Sequence, residues 1–325
     1  MYITRRHLLA GAAVALVPGA VRGRLSAAEN AEQPLIVDTH QHLWDRSKLT
    51  LPWLEDAPDV LRKSYLPADY RTATKGLNIR AVYMEVDVAD GQHDKEAEHI
   101  IELVSGGESQ TIGSVIGGRP DAPGFGDYIA RHGESGVVQG VRQVLHGGST
   151  PRGHCLRPEF IAGVRKLGER GMSFDLCMRP DELDDGRKLT EEAPDVTFIV
   201  DHCGNADPNA FHPGTEEPTH SVDGWKRSIE GLAKRPNTIC KISGVIARVR
   251  PGWTAETLAP CVNFCLDAFG PDRVVFGSDW PVCLLGAPLL AWVQALRDII
   301  AERPEPEQTQ LWSGNALRIY RLNLA

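Results

Sequence analysis

Past Ala28 the chain has no apolar run of the roughly 20 residues needed to cross a bilayer, so nothing in its body reads as a membrane span. Its seven cysteines are an odd number and form no Cys-x-x-Cys pair, and reduced, buried thiols are the expectation. A frame of disulfides is not needed either, because 325 residues with 42% hydrophobic content can bury a large core. No Gly-rich loop follows the first apolar strand, which removes the dinucleotide-binding open sheet as the leading architecture. Low-complexity tracts and internal repeats are also missing. What remains is an enzyme-sized body whose length suits one large domain.

The first 28 residues differ from that body. Thr4-Arg-Arg-His-Leu-Leu9 precedes a short apolar, small-residue stretch from Ala10 to Val17, and Ser26-Ala-Ala28 supplies small residues for cleavage. A basic start, an apolar middle and a small-residue end describe an export signal. The Arg5-Arg6 pair resembles a bacterial twin-arginine signal and predicts a periplasmic protein starting near Glu29, with residues 29–325 as a single domain. Removal of 1–28 takes away four arginines and no acid, which moves the net charge from −8 to −12. So acidic a body argues against nucleic acid as a partner and leaves a small molecule. The sequence leaves the oligomeric state open.

Apolar, β-branched runs alternate with helical stretches, the pattern of βα units around a parallel sheet. Eight strands are predicted: Leu35–Thr39, Ala81–Val86, Thr111–Ile116, Val137–Val144, Ser173–Met178, Thr197–Val200, Thr238–Ile242 and Arg273–Gly277. Helices are predicted over Asp94–Ser105, Pro158–Arg170, Trp225–Lys234, Ala255–Phe269 and Ala287–Glu302. Eight strands in this order make an α/β fold, a single-domain (β/α)8 TIM barrel. Two insertions, residues 43–75 and 203–222, are long enough to shape a pocket at the end of such a barrel where the strands finish.

Chemistry concentrates at those strand ends. His40 and His42 sit two apart, hence on one face of the first strand, and Asp279 closes the last strand some 240 residues later. A closed barrel brings both ends to one face. Two imidazoles and a carboxylate make the ligand set of a hydrolytic metal centre, or of an acid/base pocket descended from one. Further polar groups at strand ends are Glu85 and Asp87, Arg142 and His146, Asp175 and Arg179, His202, Lys241 and Ser243. Two readings of the cations are open. Arg142, Lys241 and Arg179 could surround an anionic or oxygenated substrate that also meets Glu85, with Trp44 and Trp53 as a flat apolar wall. Alternatively, Arg142 pairs with Glu85, Lys241 with Asp175, and both tryptophans fill the core.

Several segments resemble one family: Ile36-Val-Asp-Thr-His-Gln-His-Leu-Trp44, Ser64-Tyr-Leu-Pro-Ala-Asp69, Gly140-Val-Arg-Gln-Val144, Val200-Asp-His-Cys-Gly204, Cys240-Lys-Ile-Ser-Gly244 and Val275-Phe-Gly-Ser-Asp-Trp-Pro281. They are similar to the amidohydrolase-related, metal-dependent hydrolases of the branch that holds sugar-acid lactonases and 2-pyrone-4,6-dicarboxylate lactonase. The resemblance implies that His40 and His42 are first-strand metal ligands and Asp279 the eighth-strand acid/base and third ligand. It implies that His202 faces the substrate carbonyl and that Arg142 contacts substrate. Many relatives hold two metals through a strand-four lysine and a strand-five histidine. Here Arg142 and Cys177-Met-Arg179 stand at those places, which predicts one divalent ion, zinc on His40, His42 and Asp279 with Glu85 as a further candidate ligand, or a pocket that works without metal. The expected activity is lactone hydrolysis. A decarboxylase or hydratase acting on a small carboxylic acid, and a non-catalytic carbohydrate-binding barrel, are the alternatives.

Overall fold

A computed structural model describes residues 33–324 except 108, 148–149 and 213–217. The export signal expected over 1–28 therefore lies outside the described residues. One compact unit begins at Pro34. Its strands are β1 Ile36–Gln41, β2 Ile79–Met84, β3 Thr111–Gly117, β4 Val138–Val144, β5 Ser173–Cys177, β6 Thr197–Val200, β7 Thr238–Ile242 and β8 Val274–Phe276. All neighbours pair in parallel, in chain order from β1 to β8. Each strand is followed by a helix: α1 Pro67–Ala73, α2 His93–Ser105, α3 Phe125–Gly133, α4 Pro158–Gly168, α5 Leu183–Glu192, α6 Val222–Ala233, α7 Ala255–Phe269 and α8 Leu289–Ile300. This is the expected (β/α)8 barrel.

The seam between β1 and β8 is closed mainly by side chains. Gln41 and Trp280 form a parallel bridge, and the Thr39 hydroxyl donates to the Phe276 carbonyl at 2.7 Å. The buried Asp38 carboxylate accepts from the Ser278 amide at 2.7 Å, the Ser278 hydroxyl at 2.5 Å and the Tyr70 hydroxyl at 2.8 Å. These bonds hold the ends of β1 and β8 side by side, which places His40 and His42 next to Asp279.

Alternation along the strands builds two apolar layers. Val37, Val82, Met84, Val115, Ile199, Ile239 and Val275 fill the barrel, and Ala316, Tyr320 and Leu322 of the C-terminal segment pack onto them at the end where strands begin. Phe174, Leu176, Phe198, Val200, Ile242 and Phe276 belong to the outer core with the helices. In α7 the buried positions Leu258, Cys261, Val262, Cys265, Leu266 and Phe269 recur at three and four residues, so one face meets the sheet. Thr254 caps its start and Gly270, at φ 72°, ends it. All seven cysteines are free and buried; Cys203, Cys240 and Cys265 cluster behind β6 and β7. No described helix is long and apolar enough to cross a membrane.

Of the two insertions, the first is a roof. Trp44 bridges to Tyr65, and the Trp44, Trp53, Tyr65, Tyr70 and Trp280 rings meet edge to face with centroids 5.1–5.5 Å apart. The Trp53 indole donates to the Val86 carbonyl at 2.8 Å, which ties the roof to the end of β2. In the second, Asp207 accepts from Asn209 and Thr219 while its amide donates to His220 Nε2 at 2.9 Å. Its Asp207 and His220 thus fold the loop on itself.

Candidate active site

A cavity of about 410 Å³ opens where the strands end, a volume suited to a small molecule. Polar groups on its wall are His42, Asp87, Arg142, His146, His202, Asn205, Arg248 and Asp279. Trp44, Trp53, Val86, Val144, Val282 and Leu285 supply the apolar part. Both tryptophans are therefore roof and wall together, which joins the two sequence readings. Five non-glycine residues at this end have left-handed backbones: Asp87, His202, Cys203, Asn205 and Asp279, with φ between 48° and 57°. Each such residue costs about 1–3 kcal/mol and persists only where its surroundings fix it.

Asp279 Oδ1 lies 3.4 Å from His42 Nε2 and 3.7 Å from His40 Nε2. The ligand atoms of His40, His42 and Asp279 all lie within 4.8 Å of one another, close to what one ion can span with ligands at about 2.0–2.2 Å. His42 Nδ1 is 3.0 Å from the Met84 carbonyl, an acceptor, so Nδ1 carries a proton and Nε2 is the atom that faces Asp279. The donor set fits a divalent ion of the zinc type. Burial would raise the Asp279 carboxyl, but the facing His202 and His42 rings and Arg142 outweigh it and hold it below the usual range. Asp279 is ionised and available as a base.

His202 follows β6, and its Nδ1 lies 2.9 Å from the Ser243 hydroxyl. Burial pushes the ring below its ordinary range. Gly244, at φ 68°, lies under this ring; a Cβ there would come within 2.4 Å of it. His146 is pushed down to about 4 by loss of hydration and by the charges of Arg142, His202 and Arg248.

Arg142 reaches the wall from β4, but its other contacts are internal: Nε donates to Glu85 Oε1 at 2.7 Å and Nη2 to the Glu85 carbonyl at 2.8 Å. Three residues expected around the substrate do not line the cavity. Glu85 is fully buried behind Arg142. Lys241 is equally buried, at 2.5 Å from Asp175 and 3.0 Å from Asp201. Arg179 bonds Glu182 and the carbonyls of Leu145, Gly147 and Thr150, fastening the loop that carries His146. In each case the charge has found protein partners before any ligand arrives.

Sequence reasoning did not single out Asp201 and Arg248. Asp201 is fully buried, 3.6 Å from His40 Nδ1 and 3.5 Å from Arg142 Nη1. Burial works against its charge, yet Lys241 and His40 hold its carboxyl well below the usual range. Its signal was its place, directly before His202 at a strand end. Arg248 lies on a short turn after β7, where no strand-end rule applies; it donates to Asn205 Oδ1 at 2.8 Å.

A barrel whose first and last strands bring His40, His42 and Asp279 together beside one cavity defines a hydrolase scaffold of the metal-binding kind. The amidohydrolase family model matches residues 37–322, and the chain belongs to that family. It is 28% identical to an L-fucono-1,5-lactonase of Burkholderia multivorans over 296 residues, 89% of this chain and 96% of the relative. It is 25% identical to an L-rhamnono-gamma-lactonase of Scheffersomyces stipitis over 203 residues, 57% of this chain and 60% of the relative. A crystal structure of a B. multivorans amidohydrolase with bound zinc superposes with a TM-score of 0.76 at 25% identity, covering 89% of this chain and all of that one.

Proposed function

We propose that this chain is a lactonase that opens a sugar-acid lactone by Asp279-assisted attack of water. The observation that carries the reading is Asp279 at the wall of a cavity that also presents the Arg142 guanidinium and the His202 imidazole. The curated lactonase relatives support the substrate class. Asp279 takes a proton from water as its oxygen bonds to the lactone carbonyl carbon. Negative charge then builds on the carbonyl oxygen. Arg142 donates to it, and His202 does so through Nε2–H when Ser243 donates to Nδ1. Collapse breaks the bond to the ring oxygen, and Asp279 returns the proton to that alkoxide, giving the hydroxy acid. His40, His42 and Asp279 would hold a divalent ion, zinc by the donor set, which supplies Lewis acidity and a more acidic water when bound. Arg248 and the tryptophan roof would grip the oxygenated and apolar parts of the ring. Export through the twin-arginine-like signal at Arg5-Arg6, with a periplasmic site of action, belongs to the same proposal.

The test is a panel of sugar-acid lactones assayed by acid release, with Asp279→Asn beside the wild type. Ring opening that falls at least ~10²-fold in the variant is expected, the low end for a lost general acid/base. No ring opening by the wild type, with carbon dioxide released from a small carboxylic acid instead, overturns it.

A further inference from the structure

His40 is enclosed by two cations. Arg142 Nη1 lies 3.3 Å from its Nε2, and Lys241 Nζ lies 3.3 Å from its Nδ1. Both cations can only donate, whereas a neutral imidazole has one N–H and one lone pair. The ring is neutral, because a doubly protonated imidazole would set an N–H against a cation at both nitrogens. One nitrogen therefore accepts, and the other turns its proton to a carboxylate. Lys241 is already at 2.5 Å from Asp175 and 3.0 Å from Asp201. Arg142 Nη1 has weaker alternatives, Asp201 at 3.5 Å and the Cys177 sulfur at 3.9 Å. The arrangement that serves these groups best puts the proton on Nδ1, facing Asp201 at 3.6 Å, and the lone pair on Nε2, facing Arg142.

That lone pair is the one His40 would give a metal. We propose that Arg142 is a built-in competitor of the divalent ion: its guanidinium rests on the Nε2 lone pair of His40, so an ion binds fully only when Nη1 withdraws. Arg142 thereby sets the metal affinity of the site, and Asp201 is the positioning residue that keeps the lone pair on Nε2. Withdrawal leaves the guanidinium on Glu85 through Nε and Nη2, so the arginine has a second resting place without refolding. The same cation that crowds out an ion supplies positive charge in its place at the reacting carbonyl.

The experiment measures zinc affinity by chelator competition, without substrate, on the full chain and on Arg142→Lys, Arg142→Met and Arg179→Met. It stands whether or not the chain is a lactonase. Arg142→Lys keeps the charge but loses the fork that reaches Nε2, and a gain of at least ~10-fold in affinity is expected. Arg142→Met should gain more. Arg179→Met, which removes a cation paired with Glu182, should leave affinity unchanged. Equal zinc affinity in wild type and Arg142→Lys, a gain in Arg179→Met as large as in Arg142→Met, or zinc bound by none of them overturns the proposal. A second measurement needs no variant. Nitrogen-15 NMR of the zinc-free wild type should find the His40 proton on Nδ1, and a proton on Nε2 refutes the inference.

Discussion

Glu96, on α2, is a carboxyl that burial should keep protonated. Its Oε1 accepts from the Tyr83 hydroxyl and the Val86 amide, both at 2.8 Å, while Oε2 has no hydrogen-bond partner among the described residues. Burial first, and the Glu85 charge second, raise it from 4.5 to about 8. Between those values the unfolded chain has lost this proton and the folded chain keeps it, so stability falls as pH rises. Each tenfold change in proton affinity is worth about 1.4 kcal/mol, which puts the loss at about 3 kcal/mol at pH 7 and up to about 5 kcal/mol at pH 8. Glu96→Gln removes the titration and preserves both bonds, because the amide oxygen accepts from Tyr83 and Val86. Urea unfolding of both proteins at pH 5, 6, 7 and 8 reads the difference. Near pH 5 the two should nearly coincide, and the variant should become progressively the more stable toward pH 8. Parallel stability curves across that range would refute the reasoning, since they would show a Glu96 that ionises equally in both states.

Two further outcomes are expected. Gly244→Ala should displace the His202 ring and cost at least ~10-fold in kcat, with far-UV dichroism and KM little changed; an unaltered kcat removes His202 from the chemistry. Protein recovered from its native compartment should begin near Glu29 when sequenced from the N-terminus, and a cytoplasmic chain beginning at Met1 contradicts export.

All eight strands were legible because parallel barrel strands are buried on both faces and read as short apolar runs. Their limits moved by up to two residues: β1 runs on to Gln41 through a register shift after Asp38, and β2 stops at Met84. Helices α1, α3 and α5 escaped: Pro67–Ala73 is short and lies in the proline- and aromatic-rich insertion, Phe125–Gly133 carries two glycines, and Leu183–Glu192 is mostly charged, so their buried stripes are thin. The histidines and Asp279 were found because strand ends in a closed barrel converge whatever the loops do. The partners of the cations were not decided by that rule. Glu85, Asp175 and Asp201 all stand at strand ends too, and only coordinates tell which carboxylate each cation meets. Arg248 and Glu96 lie on a turn and a helix, where position in the sequence gives no hint of what they face.

The seam stitched by Asp38 has a consequence for how the molecule comes into being. Asp279 leaves the ribosome some 240 residues after His40 and His42, so the proposed catalytic and metal-holding groups meet only after β8 has been made. Every shorter nascent chain that lacks β8 lacks the base as well as the stitches that close the barrel. A chain that stops before β8 therefore lacks the closed seam and the base together. Formation of the barrel's last strand and assembly of the reactive centre are one event.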